Sequence, residues 1–401
     1  MIKRLLLFLI GIVAGSVTAY AEVDRAFIGT HFHDAGKKPL AVSASIGSLR
    51  LWDARLGWNY LEPAKGAWAF EAMDVAVADA RQANLEILYP LGLTPKWASS
   101  DPERASAYGP GNSMPPRLMA DWEEYVRTVV RRYRGRIAAY EIWNEPNRAL
   151  FFGGTTADLK RLTCSAYAII KQIDPAAKVV GAAATDQMQG VRWLADFLDK
   201  EVLSCVDAIG FHLYTLAHEP PEAVVPIVRE IRNVLVSKGA ASVPLWNTEF
   251  GWYIANSQVA NDSRYKVLNA STARDFLLRS FVVQASLGIE RAFQYAWNNR
   301  RMGVIEPDTG KVKDVGEAFA VAARWLGGAD EVSCRESAGI YRCSVRRGIT
   351  RNLIVWSVSG TRKVDRTELG GFNRVSFAGE QEVPLIGNEI EFSGTPALLR
   401  P

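Results

Sequence analysis

The sequence predicts an α/β fold, namely a (β/α)8 TIM barrel followed by a small C-terminal antiparallel β domain. From residue 26 to about residue 326, short β-branched or apolar runs alternate with amphipathic helical stretches, which is typical of a parallel sheet. Eight such runs occur, the number that a barrel needs. After Gly327-Gly328 the pattern changes to short strands separated by turns. We therefore expect the barrel over residues 22–326 and a sandwich-like β domain over residues 327–401.

The elements of the predicted barrel follow one another in strict alternation. The predicted strands are Ala26–His33, Ser48–Trp58, Glu86–Leu93, Ala138–Glu145, Lys178–Ala184, Ala208–Tyr214, Pro244–Glu249 and Arg291–Trp297. Helical patterns between them include Trp122–Arg134, Asp158–Gln172, Val191–Asp199, Pro221–Lys238, Ala273–Leu287 and Gly316–Leu326. A doubly wound open sheet would need a glycine-rich dinucleotide turn after the first strand, and Gly29-Thr30-His31-Phe32 is not such a turn. In the β domain, strands are expected at Gly339–Val345, Asn352–Val358, Arg374–Phe377 and Glu389–Phe392.

The N-terminal residues have the layout of a secretory signal. Lys3 and Arg4 precede an apolar run over residues 5–15, and Ala19-Tyr20-Ala21 forms a cleavage site of the A-x-A type. We therefore predict a signal peptide over residues 1–21 and a secreted or periplasmic protein, with an uncleaved anchor as the alternative. No later run is apolar over about 18 residues, so no stable membrane span is expected in the mature chain.

Four cysteines suit the same compartment. An even number in an exported chain favours two disulfides, for which three pairings exist. Cys334 and Cys343 flank a turn at Ser337-Ala338-Gly339 and are expected to bridge one hairpin, which leaves Cys164 to pair with Cys205. Buried free thiols are the alternative. No Cys/His spacing resembles a zinc site.

The charge balance excludes one class of partner, and the tryptophan content favours another. A net charge of +4 without a basic block gives no reason to expect binding to nucleic acid. Twelve tryptophans suit carbohydrate binding, because flat rings stack on pyranose faces, although burial in the core is an equally good reason for each of them.

Two glutamates end predicted strands inside aromatic motifs. Glu145 lies in the stretch Tyr140–Asn147 at the end of strand four, and Glu249 lies in Trp246–Trp252 at the end of strand seven. Barrel enzymes place catalytic groups at the C-terminal ends of strands, and strands four and seven lie across the barrel mouth from each other. A single glutamate in such a position could equally belong to a salt bridge, but two on opposite strands indicate a shared cleft.

Glycoside hydrolysis requires such a pair of carboxyl groups. One must be protonated to donate to the leaving oxygen, and the other must be ionised to attack the anomeric carbon. We assign Glu145 as the general acid/base and Glu249 as the nucleophile. A separation of about 5–5.5 Å would give retention of configuration, and a wider gap would give inversion.

With these motifs in place, the sequence resembles clan A of the glycoside hydrolases, and more closely family 39 with its exopolysaccharide-degrading relatives. The resemblance covers roughly residues 26–326. Besides Trp143-Asn144-Glu145-Pro146 and Thr248-Glu249-Phe250-Gly251-Trp252, it depends on Gly29-Thr30-His31-Phe32, Arg50-Leu51-Trp52-Asp53, Trp58, Leu61-Glu62-Pro63, Gly66, Thr94–Ser99, Arg132–Ile137 and His212-Leu213-Tyr214. It implies retaining hydrolysis with no metal or organic cofactor.

Four further residues are expected to support the two glutamates. Asn144 would hydrogen-bond the sugar 2-hydroxyl, or else cap the next loop. Arg50 would keep Glu249 ionised, or pair with Glu141 or Asp53, and both can hold. Tyr214 would donate to Glu249, and His212 shares a strand face with Tyr214.

The remaining candidates concern substrate contacts. His31 and His33 share a face of strand one, but no carboxylate or cysteine stands at ligand spacing, so we expect no metal there and assign His31 a hydrogen bond to substrate. Trp97, Trp252 and Trp297 lie at or just past strand ends, where their rings could floor sugar subsites. Trp143 and Trp52 are expected to pack in the core.

Taken together, these features predict a retaining hydrolase that cuts within a bacterial exopolysaccharide. The Pro-, Gly- and Ser-rich loop 99–117 suits a polymer cleft. The alternatives are an exo-acting β-xylosidase or related β-glycosidase, which would need a closed pocket, and a non-catalytic carbohydrate-binding barrel, which would be expected to lack one glutamate. A transglycosylase would use the same covalent intermediate.

Overall fold

The computed structural model describes residues 22–216, 219–258 and 267–401, so the predicted signal peptide lies outside the described residues. Eight parallel strands form a closed barrel in which each strand pairs with its neighbours in chain order and the last pairs with the first. These strands are β1 (Ile28–His31), β2 (Ser48–Arg50), β3 (Glu86–Leu91), β4 (Ala139–Ile142), β5 (Lys178–Ala184), β6 (Ala208–His212), β7 (Leu245–Phe250) and β10 (Ile289–Gln294), with the short paired strands β8 (Tyr253–Ile254) and β9 (Val267–Leu268) between the last two. The predicted TIM barrel is confirmed.

Nine helices in the described part of the chain surround the barrel. They are α1 (Trp58–Leu61), α2 (Glu71–Gln82), α3 (Met119–Tyr133), α4 (Thr156–Ile173), α5 (Gln187–Phe197), α6 (Lys200–Leu203), α7 (Val224–Ser237), α8 (Ala270–Ser286) and α9 (Glu317–Leu326). Apolar residues on one face of each longer helix fix its orientation, as in α3, where Trp122, Val126 and Val129 are buried. At α4 the Thr155 and Asp158 side chains each accept a bond from the other's backbone N–H, so the helix begins there.

The second predicted strand, over residues 48–58, is largely wrong. The regular strand ends at Arg50, and α1 begins at Trp58. Asp53 and Arg55 adopt positive φ angles of 57° and 61°, which an extended strand does not contain. The short strand leaves Arg50 as the last strand residue, pointing into the barrel.

The barrel interior is filled below its mouth by side chains from six strands, namely Leu88, Ala139, Val180, Ala208, Trp246 and Phe293. Ala139 precedes Glu141 by two residues on β4, so both share the inward face and Glu141 lies nearer the C-terminal end. An apolar floor therefore underlies a polar layer at the mouth.

The predicted C-terminal antiparallel β structure is confirmed. Its main sheet has the order β11-β12-β13-β18-β15-β16, and β14 and β17 form a second, two-stranded sheet. The strands are β11 (Glu331–Ser337), β12 (Ile340–Arg347), β13 (Thr350–Ser357), β14 (Arg362–Asp365), β15 (Arg374–Phe377), β16 (Val383–Pro384), β17 (Glu389–Phe392) and β18 (Ala397–Arg400). The domain division at residue 327 stays a prediction.

The two faces of the main sheet have different neighbours. One face contributes Cys343, Ile354 and Trp356 to the large apolar core that the barrel strands form with their surrounding helices. There the Trp356 indole donates to Glu222 at 2.9 Å, and Glu222 is also bound by Arg279 of α8. The opposite face packs Ile340, Leu353 and Val355 into a separate small core with the second sheet. We call this opposite face the outer face.

Both predicted disulfides are present. Cys334 and Cys343 are register partners on β11 and β12, and Cys164 of α4 is bonded to Cys205 after α6. Among the described residues, no helix has the length and apolar character needed to cross a membrane.

Candidate active site

Glu145 is positioned by an irregular turn after β4. Trp143 and Glu145 have positive φ angles of 67° and 45°, uncommon for side chains of this size. The turn is held by neighbouring strands, because the Trp143 N–H donates to the Leu91 carbonyl at 2.9 Å and the Glu145 N–H donates to the Ala183 carbonyl at 3.1 Å. The Glu145 side chain is 13% exposed. A largely buried carboxyl group is thus aimed at the barrel mouth with its proton reachable from solvent.

Glu249 lies on β7 and faces Glu145 across the mouth. One carboxylate oxygen of each glutamate lies within 4.8 Å of the other. The Arg50 Nη1 donates to Glu249 Oε1 at 2.6 Å, and the Tyr214 hydroxyl donates to Glu249 Oε2 at 3.0 Å. Both oxygens of Glu249 therefore receive hydrogen bonds that favour the ionised form.

Arg50 is the cation at the centre of this layer, and its side chain is completely buried. Its Nε donates to Glu141 at 2.8 Å, its Nη2 donates to Asn144 Oδ1 at 2.8 Å and also pairs with Glu141, and its Nη1 holds Glu249. Burial alone would lower the pKa of Arg50, but the carboxylates of Glu141 and Glu249 raise it. Both readings of Arg50 from the sequence, support for Glu249 and a pair with Glu141, are present together.

His212 lies between the two glutamates. Its Nδ1 is 3.0 Å from Glu145 Oε1 and 3.5 Å from Glu249 Oε2. Burial lowers the pKa of His212 to about 4, so the ring is neutral at pH 7. The three side chains also match the spacing of a metal site, but His212 Nδ1 already contacts Glu145, and both Glu249 oxygens receive hydrogen bonds from Arg50 and Tyr214. Two carboxyl groups in contact with one neutral imidazole can exchange protons.

The two glutamates have different electrostatic surroundings. Burial raises the pKa of Glu145 to about 7, opposed by the more distant charges of Arg148 and Arg50. Burial also raises the pKa of Glu249, while its direct contacts with His212 and Arg50 oppose the rise. Arg50 donates to Glu249 and not to Glu145, so the ionised form is favoured more strongly at Glu249 than at Glu145.

The structure places the other predicted residues outside this cluster. His31 is fully buried, with its Nε2 at 3.1 Å from the Thr248 carbonyl and its ring 5.1 Å from that of Tyr295. Trp297 is 2% exposed and packs on Phe319. These buried positions favour shaping of the site over the predicted substrate hydrogen bond of His31 and over the predicted sugar stacking of Trp297.

Trp252 and Trp97 have polar partners of their own. The Trp252 indole donates to Thr215 at 3.0 Å, and its ring packs on Phe250 and Phe276. Trp97 is half-buried and donates to the Glu62 carbonyl at 2.8 Å. No contact in the described part of the chain joins Trp97 to the glutamate pair.

A second polar cluster beside Glu249 was not predicted. The Tyr295 hydroxyl donates to Asp53, and the Tyr108 hydroxyl accepts from the Trp52 indole at 2.8 Å. Burial raises the pKa of Tyr108, and the charges of Asp53 and Glu249 raise it further. Tyr108 comes from loop 99–117, so this loop reaches the edge of the site.

An acid pair of this kind at the mouth of a TIM barrel defines the glycoside hydrolase class of sites. The comparison with known families agrees. The family model of "Glycosyl hydrolases family 39" matches residues 62–272, and the chain belongs to this family.

Individual relatives are more distant. A β-xylosidase of Caldicellulosiruptor saccharolyticus is 33% identical over 112 residues, which span 26% of this chain and 22% of that protein. This chain thus matches only about a fifth of the length of that curated relative.

Solved structures share the fold over almost the whole chain. A family 39 glycoside hydrolase from Bacteroides cellulosilyticus WH2 superposes with a TM-score of 0.71 at 15% identity, over 95% of this chain and 81% of that chain. A monomeric β-xylosidase from Caulobacter crescentus CB15 has a TM-score of 0.65 at 18% identity, over 96% and 98% of the two chains. At these identities the likeness concerns the fold.

Proposed function

We propose that the protein is a retaining glycoside hydrolase in which Glu145 is the general acid/base and Glu249 the nucleophile. The observation that carries this proposal is that two carboxyl groups, with oxygens within 4.8 Å of each other, have different hydrogen-bond partners. Only Glu249 is held by Arg50 and Tyr214. A close pair supports retention, for which carboxyl groups about 5–5.5 Å apart are typical.

In the first step, protonated Glu145 donates its proton to the glycosidic oxygen while a Glu249 oxygen attacks the anomeric carbon. The bond from that carbon to the leaving oxygen breaks, and an ester bond to Glu249 forms. A pKa of about 7 keeps a useful fraction of Glu145 protonated near neutral pH. Arg50 and Tyr214 orient the attacking carboxylate.

In the second step, Glu145 is ionised and accepts a proton from water as the water oxygen attacks the same carbon. The ester bond breaks, Glu249 leaves as a carboxylate, and Glu145 regains its proton. Neutral His212 touches both carboxyl groups and can keep their separation fixed through both steps.

Asn144 is proposed to bind the sugar 2-hydroxyl. Its Oδ1 accepts from Arg50 at 2.8 Å, which leaves the amide nitrogen as the atom able to donate to substrate. This contact would strengthen as charge develops on the sugar ring.

For the substrate, we propose a β-linked bacterial exopolysaccharide that is cut within the chain after export. The long loop that brings Tyr108 to the site supports a cleft built for a polymer, and two disulfides suit an oxidising compartment. A second candidate, an exo-acting β-xylosidase, is favoured by the identity to the Caldicellulosiruptor saccharolyticus protein.

The test compares the wild type with Glu145→Gln, Glu249→Gln and a control, Glu317→Gln, which changes an exposed glutamate on α9. Each protein is incubated with β-linked polysaccharides and aryl glycosides, and products are followed by mass and anomeric configuration. We expect retained products from the wild type and the control, and loss of most of that activity in both site variants, with the activity left in Glu145→Gln confined to aryl glycosides with good leaving groups. Oligosaccharide products support endo action, and single sugars would replace it by the β-xylosidase candidate. Inverted products would recast Glu249 as a base, and full activity of both site variants would refute the mechanism.

A further inference from the structure

The outer face of the C-terminal sheet has an uncovered half that is polar and concave. Ser333 and Arg335 of β11 share this face with Arg342 and Ser344 of β12, because Arg335 is the register partner of Arg342 and Ser333 that of Ser344. The second sheet packs on the apolar half of the face, and of the four polar residues Ser333 and Arg335 are exposed whereas Arg342 is buried beside the second sheet. They line a cavity of about 770 Å³, closed on its other side by the segment 368–372.

The charge of this cavity is strongly one-sided. Arg335, Arg342 and Arg351 line it, and Glu368 is its one acidic side chain. Arg342 and Glu368 also line an adjoining cavity of about 390 Å³ that adds Arg362 and Lys363. We name the two cavities together the basic groove. Five basic side chains and one acidic side chain line it, and Lys363 is also paired with Glu389 and Glu391 of β17, so the excess of positive charge comes from the arginines.

The arginines of the groove differ in how they are held. Arg342 is buried and paired with Glu368 at 3.0 Å. Arg351 is exposed, and its Nε donates to Ser344 Oγ at 2.8 Å, which fixes the side chain while leaving the guanidinium Nη atoms facing solvent. Arg335 is exposed and forms no ion pair with any residue that the structure describes. Two guanidinium groups are thus available to an anionic ligand.

Hydroxyl groups stand between these charges. Ser333, Ser344 and Thr350 line the same cavity, and the consecutive glycines Gly370 and Gly371 leave backbone accessible at its rim. Guanidinium groups bind carboxylates in a bidentate way, and neutral hydroxyls match sugar hydroxyls. This mixture suits a glycan that carries carboxylates better than a bare polyanion.

We propose that the basic groove is an accessory binding site for an acidic polysaccharide, with Arg335 and Arg351 contacting its carboxylates. The choice of a glycan rests on the proposed function, since a polymer held here would remain close to the barrel. The site would keep the enzyme on its substrate without touching the reacting bond.

The test measures binding of oligogalacturonate, a neutral xylo-oligosaccharide and polyphosphate to the full chain by calorimetry. Binding is measured on the Glu249→Gln protein, so that the ligand is not hydrolysed during the titration. The result then does not depend on whether the proposed two-glutamate mechanism is correct. The groove variant is Arg335→Gln with Arg351→Gln. The matched control is Arg127→Gln with Arg161→Gln, which removes the same charge from arginines that are paired with Glu124 on α3 and Asp158 on α4, outside the β domain.

We expect the groove variant to bind oligogalacturonate at least about tenfold more weakly, while the control variant binds like the parent. When Arg335→Gln and Arg351→Gln are made in the protein with Glu249 intact, its rate of hydrolysis of a small aryl glycoside should be unchanged. Unchanged binding in the groove variant, or an equal loss in the control, would overturn the proposal. Binding of polyphosphate as tight as that of oligogalacturonate would also overturn it, because it would show attraction by charge alone.

Discussion

The barrel mouth and the basic groove both contain arginines, but they use them in opposite ways. At the mouth, Arg50 is fully buried, and its donors are taken up by Glu141, Asn144 and Glu249. In the groove, Arg335 is exposed and pairs with no described acidic side chain. The buried arginine sets the ionisation of its neighbours, whereas the exposed one offers its charge to a ligand. The surroundings of a guanidinium group, and not its presence, therefore decide what it does.

The same substitution in both regions should give the largest contrast in stability. We expect Arg50→Met to lower the free energy of unfolding by about 3–5 kcal/mol, because Glu141 and Glu249 would be left buried without their partner. Arg335→Met should change it by about 0.5 kcal/mol or less. Urea unfolding followed by circular dichroism measures both. Similar values for the two variants would contradict the central role of Arg50.

The pH dependence of catalysis separates the two glutamates. Since burial raises the pKa of Glu145 to about 7, we expect kcat/KM to fall about tenfold per pH unit above that value, as the acid loses its proton. The fall should be weaker for aryl glycosides with good leaving groups, which need less protonation. In Glu145→Gln the remaining activity should lose this dependence. A fall that persists in the variant would assign it to another group.

The sequence located the glutamate pair because its chemistry is tied to strand ends. All six predicted residues of the cluster converge. Arg50, His212 and Glu249 lie on barrel strands, and Asn144, Glu145 and Tyr214 follow within three residues of a strand end, so all of them reach the same mouth. Glu141 was predicted only as a possible partner of Arg50, and its place on β4 two residues after the inward Ala139 could also have assigned it to the polar layer.

The tryptophans show where such reasoning ends. Trp297 lies just past a strand end, but it is buried against Phe319 of α9. Tyr108 reaches Trp52 from a long loop. Contacts between segments distant in the sequence decide which ring is buried and which loop residue reaches the site. A local sequence pattern does not contain these contacts. The groove is an intermediate case, because the hairpin that pairs Cys334 with Cys343 also sets Arg335 opposite Arg342.

Glu145→Gln should also alter how stability depends on pH. In the folded wild type the pKa of Glu145 is raised from about 4.5 to about 7, so between these values the folded state holds a proton that the unfolded state has released. Stability from this group is therefore present below about pH 4.5 and lost as the pH rises to about 7. Glutamine does not titrate, so the variant avoids this loss. Between pH 4 and pH 8 its free energy of unfolding should therefore rise on the order of 1–3 kcal/mol relative to that of the wild type. Thermal unfolding at both pH values checks this, and a constant difference would argue against a protonated Glu145.

Salt should produce the smallest effect and the clearest separation of the two regions. The bonds of Arg50 are buried and poorly screened, whereas the groove arginines face solvent. Raising ionic strength from about 0.05 M to about 0.5 M should therefore leave kcat/KM on a neutral aryl glycoside within about twofold, because mobile ions screen mainly the charges that are exposed to water. Hydrolysis of an acidic polysaccharide at low concentration should decline severalfold over the same range in the wild type, and not in Arg335→Gln with Arg351→Gln. An equal decline in both proteins would place the salt-sensitive contact at the barrel mouth, and with it the recognition of acidic sugars.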